Sequence, residues 1–78
     1  MTPVSWDQWQ SFLAVAEAGS LSGAARARGL TQPTLSRHVA ELEAALGTAL
    51  FARGPAGMAL TVAGEAALPQ ARAMGHAA

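Results

Sequence analysis

Residues 20–47 read SLSGAARARGLTQPTLSRHVAELEAALG, and the placement of glycine, serine and threonine in this stretch decides the fold. Glycine suits the left-handed residue just past a helix end. Serine or threonine suits the residue just before a helix start, where its side-chain oxygen accepts from an amide that has no intrahelical partner. Ser20 therefore opens a short helix over about Leu21 to Arg28, packed through Ala24, Ala25 and Ala27 and stopped by Gly29, with Leu30 dropping toward the core. Thr31 opens a longer helix that tolerates Pro33, because first-turn amides lack helical partners, and that runs to about Leu46 before Gly47. Leu35, Val39, Leu42 and Leu46 fall within about 60° of one another on this helix and form the expected buried stripe. The opposite arc shows Pro33, Ser36, Arg37 and Ala40.

Working outward, the same punctuation marks a first helix over about Trp6 to Ala18, with Ser5 and Gln8 in a capping-box pattern and Gly19 past its end. Its apolar stripe is Trp9, Phe12, Leu13 and Ala16, and Trp9 is expected inside the core. After Gly47 the period changes. Ala49-Leu50-Phe51 and Met58-Ala59-Leu60 are short apolar runs around Arg53-Gly54-Pro55-Ala56-Gly57, which reads as a small β-hairpin. Thr61 caps a last helix from about Val62 to Met74, with Ala63, Ala66, Ala67 and Leu68 on one side and Pro69 bending or weakening its middle. Gly75 to Ala78 reads as a frayed end. The chain divides into a domain over 1–61 and a terminal helical segment over 62–78.

Composition narrows the function classes. The chain has 78 residues, five Arg against five acids, no Lys and zero net charge, which excludes a polybasic tail that coats nucleic acid or membrane by charge alone. Alanine fills about a quarter of it and favours helix with thin, closely packed cores. A chain this small buries little surface, so a partner subunit is expected. Without cysteine there is no disulfide, thiol nucleophile or thiolate metal site. Two distant histidines make no metal set, Ser20, Ser22 and Ser36 lack a nearby His and Asp, and the glycines form no phosphate fingerprint, so no cofactor and no catalysis are expected. His38 reads as a hydrogen-bonding group on the flank of the third helix, and His76 as part of the loose end. The first twenty residues lack a charged n-region and apolar h-region, and no window is apolar enough to span a bilayer; a cytoplasmic protein with no membrane association is expected.

Helix, short helix, turn, longer helix, two-stranded hairpin, helix is a mainly α order: that of a winged helix-turn-helix, whose third helix enters the DNA major groove. The start of that helix carries Thr31, Gln32, Pro33, Thr34, Ser36 and Arg37, with no acid before Glu41. The segments Phe12-Leu13-Ala14-Val15-Ala16-Glu17-Ala18-Gly19-Ser20-Leu21, Thr31-Gln32-Pro33-Thr34-Leu35-Ser36-Arg37, Leu42-Glu43, Leu46-Gly47, Leu50-Phe51-Ala52-Arg53 and Leu60-Thr61-Val62-Ala63-Gly64 together resemble the DNA-binding domain of LysR-type transcriptional regulators. The resemblance extends from about Trp6 to Met74. It implies a module that dimerises through its last helix and binds dyad-symmetric promoter DNA. By position it assigns base-edge contacts to Gln32, Pro33, Ser36 and Arg37, backbone contacts to Ser20, Ser22 and Thr31, and a wing contact to Arg53. The chemistry suits these roles: Gln pairs bidentately with adenine, Arg with guanine or a phosphate, and the Pro33 ring or Thr34 methyl touches a thymine methyl. For the homodimer, Trp6 is expected to help cover the partner's last helix, whose Ala63, Ala66, Ala67 and Leu68 allow close approach.

Two departures from the family pattern stand out. The wing, commonly basic in the family, is here Gly54, Pro55, Ala56, Gly57, Met58 and Ala59, which weakens the expectation of minor-groove anchoring. The longer effector-binding portion of the family is absent from this chain, so the sequence reads either as a piece of a longer regulator or as a single-domain relative. The alternative function is a protein-interaction or antagonist module that dimerises with a longer regulator.

Overall fold

The computed structural model describes residues 6–55 and 57–77 and contains four helices and one hairpin among them. The helices are α1 (Trp6–Ala18), α2 (Leu21–Arg28), α3 (Gln32–Leu46) and α4 (Val62–Ala77), and the strands are β1 (Phe51–Gly54) and β2 (Gly57–Leu60). The caps act as the sequence indicates. Ser20 Oγ accepts from the Gly23 amide at 3.0 Å and Thr31 Oγ1 from the Thr34 amide at 3.4 Å. Gly29 and Gly47 close α2 and α3 in the left-handed region, at φ 68° and 72°. The expected Ser5 cap, the Ala56 turn position and the His76 side chain lie outside the described residues.

α1, α2 and α3 pack on one another, and the core they share is Trp9, Phe12, Val15, Ala24, Ala25, Leu35, Val39 and Leu42, joined by Leu50, Phe51 and Ala71 from the C-terminal half. Phe12 is its centre: it is fully buried, edge-on to Trp9 at a centroid distance of 6.1 Å and tilted against Phe51 at 5.4 Å. Polar side chains tie α1 to α3. Buried Ser11 bonds His38 Nδ1 through its Oγ at 2.8 Å, and Gln8 Nε2 donates to Glu41 Oε1 at 3.0 Å. His38 therefore has the flank hydrogen bond its position suggests.

Five sequence expectations change. Ala27, expected to pack α2, is exposed, and the buried residues of that helix are Ala24 and Ala25. Leu46 is 43% exposed: the apolar period continues to the last residue of α3, but the chain turns away at Gly47 and none of the described residues covers that end fully. β1 starts at Phe51 rather than Ala49, because the amides of Leu50 and Phe51 are taken by the Glu43 carboxylate, at 2.7 and 3.3 Å. α4 continues to Ala77 rather than fraying from Gly75, and remains helical through Pro69. On α4, Ala63, Ala67 and Leu68 pack against the chain's own core beside buried Ala71, whereas Ala66 is exposed.

The hairpin is antiparallel, with Phe51 opposite Leu60, Arg53 opposite Met58 and Gly54 opposite Gly57. Side chains alternate across a strand, so Phe51, Arg53, Met58 and Leu60 share the face turned toward the helices. Thr61 locks the junction to α4. Its Oγ1 donates to the Ala49 carbonyl at 2.6 Å and accepts from the Gly64 amide at 3.0 Å, while its amide donates to the Leu50 carbonyl at 3.0 Å. This is the fold of a winged helix-turn-helix.

Candidate nucleic-acid interface

Three elements meet on one side of the molecule: the start of α2, the N-terminal half of α3 and the hairpin. They enclose two shallow grooves that share Leu21, Arg53 and Met58 as common walls. The larger, about 360 Å³, is lined by Ser20, Ser22 and Gln32 together with Arg53, Gly54 and Gly57. The smaller, about 230 Å³, runs between α3 and the hairpin and is lined by Ser36, Val39, Ala40, Glu43, Phe51 and Arg53. Five of the nine residues singled out from the sequence for DNA contact thus converge on one concave region, with Arg53 reaching both parts.

The other four stand on the exposed rim of α3. Thr31, Pro33 and Arg37 are exposed, and Thr34 is half-buried. Thr31 is committed locally, because its Oγ1 also donates to Thr34 Oγ1 at 3.0 Å. Arg37 and Arg53 are both exposed, and among the described residues neither is held in an ion pair, so their guanidinium donors face solvent. Arg28 differs. It pairs with Asp7 at 3.5 Å from the end of α2 to the start of α1. Arg26 is exposed on the same helix.

The hairpin is held against this surface at the start of each strand, at its foot in β1 and next to its turn in β2. Glu43, in the last turn of α3, accepts from the first two amides of the β1 arm. Met58 of β2 donates its amide to the Gly19 carbonyl in the α1–α2 turn at 3.3 Å, beside Gly57 at φ 117°, where a side chain would press on that same carbonyl. Sequence reading gave neither Glu43 nor Gly57 a role. Glu43 carried one signal: an acid in the last helical turn stands against the helix dipole, and calls for a specific donor partner.

On the far side of α4, Val62, Ala66, Pro69 and Ala73 are all exposed, and their spacing puts them within about 60° of one another as a continuous apolar stripe. Trp6, at the start of α1, is 41% exposed. No helix among the described residues is long and apolar enough to cross a membrane.

Known proteins share this arrangement. A solved complex of the CbnR DNA-binding domain with DNA superposes with a TM-score of 0.85 at 41% identity, covering 90% of this chain and 80% of that one. The oxidized form of Corynebacterium glutamicum OxyR superposes at 0.92 with 32% identity, covering 97% of this chain and 25% of that one. An uncharacterized HTH-type transcriptional regulator of Mycobacterium tuberculosis is 54% identical over 56 residues, which are 72% of this chain and 18% of that protein. The chain thus spans about a fifth of the length of the curated relatives it matches. The family model described as "Bacterial regulatory helix-turn-helix protein, lysR family" matches residues 6–65. With three quarters of its length inside that match and its fold shared, the chain belongs to the LysR family of helix-turn-helix regulators.

Proposed function

We propose that this chain reads double-stranded promoter DNA as a homodimer, with α3 in the major groove and the hairpin against the flanking backbone. One observation carries the reading: the exposed start of α3 and the exposed Arg53 flank one concave region whose only acid among the described lining residues, Glu43, is taken up by the Leu50 and Phe51 amides. Gln32, Pro33, Ser36 and Arg37 face base edges, with the Thr34 methyl near a thymine methyl. Ser20, Ser22 and Thr31 sit at helix starts, where free amides favour phosphate, and Arg53 takes a phosphate from the wing. The CbnR domain, similar over most of both chains and solved in complex with DNA, supports DNA binding by this fold.

The second surface supports dimerisation. The inward side of α4, with Ala63, Ala67 and Leu68, completes the core of the 1–61 domain, and the outward stripe through Ala66 meets the same stripe of a second copy, with Trp6 at its margin. The 62–78 segment is on this reading a dimerisation helix attached to the domain. Two copies place two α3 helices on half-sites about one helical turn or a multiple apart.

Arg37→Ala tests the groove assignment. It should weaken binding to the preferred duplex by about 1–3 kcal/mol and relax the preference at one base pair in each half-site. If Arg37→Ala leaves both affinity and preference unchanged, α3 is not the reading element, and a module that acts through protein partners becomes the better account.

A further inference from the structure

We infer that Glu43 is a positioning residue for DNA binding: by capping the foot of β1 it fixes the face on which Arg53 is presented to the duplex. The inference rests on the DNA-reading function proposed above. Glu43 Oε2 accepts from the amides of both Leu50 and Phe51, at 2.7 and 3.3 Å, and so ties the last turn of α3 to the first residues of the wing. Arg53 lies two residues beyond Phe51, about 7 Å along the strand and on the same face. Phe51 is buried in the core, and Arg53 lines the groove with Ser36, Ala40 and Glu43 itself. A slip of one residue in this arm would turn Arg53 to the opposite face of the hairpin. The wing is only four residues per strand; besides its own β1–β2 pairing and the burial of Leu50 and Phe51, it is anchored by Met58 on Gly19 and by Thr61 on Ala49 and Leu50. Both of those hold the β2 side, or the chain preceding β1. The Glu43 carboxylate is what joins the β1 foot to the reading helix. An acid beside a phosphate-binding groove repels DNA, and the two amides paired with the Glu43 carboxylate offset part of that charge.

Two variants separate reach from charge. Glu43→Gln keeps an acceptor oxygen at the same distance without the charge, whereas Glu43→Asp keeps the charge but withdraws it by one methylene, out of reach of the Leu50 amide. Each is combined with Arg53→Ala and titrated by fluorescence anisotropy against a duplex enriched from a random-sequence pool by the unaltered chain, with folding checked by circular dichroism. Arg53→Ala should weaken the unaltered chain about tenfold and reduce the log–log salt slope by about 0.9 per bound chain. In E43D the affinity should already be down about tenfold with the same reduced slope, and adding Arg53→Ala should cost less than twofold more. E43Q should bind at least as tightly as the unaltered chain and keep the full cost of Arg53→Ala. Equal losses from Arg53→Ala in all three backgrounds overturn the inference, as does an Arg53→Ala that costs nothing in the unaltered chain. Failure of the unaltered chain to enrich any duplex would instead count against the proposed function itself.

Discussion

Alanine is the better helix former, so Gly64→Ala within α4 should stabilise the chain by about 1 kcal/mol if only propensity mattered. The structure predicts the reverse. A Cβ added at Gly64 would overlap the carbonyl oxygen of Leu50 and come within 2.8 Å of Leu60 Cδ2 and 3.1 Å of the Leu50 carbonyl carbon. Two of these three atoms are backbone, so rotamer changes cannot relieve the clash, and α4 has to move off the hairpin foot. Overpacking of this kind costs about 1–3 kcal/mol, here toward the upper end. The Leu50 carbonyl is also the acceptor for the Thr61 amide, and disturbing that bond adds about 1 kcal/mol. Set against the propensity gain, the net destabilisation is about 2–3 kcal/mol, or a fall of about 10–20 °C in Tm for a domain of this size. Thermal unfolding followed by far-UV circular dichroism reads this directly. Ala66→Gly on the exposed side of α4 serves as the comparison and should lose about 1 kcal/mol. A Gly64→Ala chain that melts at or above the parent temperature would refute the close approach of α4 to Leu50, and with it the placement of the last helix.

Ser11→Ala leaves His38 Nδ1 without its partner in a half-buried site and should cost about 1–2 kcal/mol, with a double-mutant cycle against His38→Ala showing coupling of about 1 kcal/mol in urea unfolding. Asp7→Asn should change stability by no more than about 0.5 kcal/mol, because the carboxylate of the Asp7–Arg28 pair is 69% exposed; a larger effect measured at high salt would contradict this. Ala73→Arg, at the C-terminal end of the exposed α4 stripe, should shift sedimentation equilibrium from dimer to monomer and leave the melting of the monomer within about 0.5 kcal/mol. A chain that stays dimeric with this charge would place the dimer interface elsewhere.

The helix boundaries were legible because each is written in local chemistry: Ser20 and Thr31 accept from the amides three residues on, and Gly29 and Gly47 occupy the left-handed positions only glycine takes easily. The grouping of Ser20, Ser22, Gln32, Ser36 and Arg53 was also within reach, since element order fixes which ends of the helices meet the hairpin. What escaped the sequence depends on contacts between distant segments. The period of α3 predicts a buried Leu46, but periodicity reports a face and says nothing about how far along the helix the covering elements extend. Likewise the three alanines and Leu68 grouped on α4 divide between an inward and an outward side, and buried Ala71 shows where the true inward face lies. Glu43 looks like a solvated helix charge until the two amides at the foot of β1 are placed beside it.

The most direct test of DNA reading is fluorescence anisotropy of a dyad-symmetric duplex enriched by the chain and of its scrambled counterpart, between about 50 and 200 mM salt. With ~3 phosphates neutralised per chain, a bound dimer predicts a log–log slope of about −5, together with a clear preference for the dyad and cooperative rise with protein concentration. Equal, negligible binding to both duplexes at the lowest salt, from protein shown to be folded, would contradict the account.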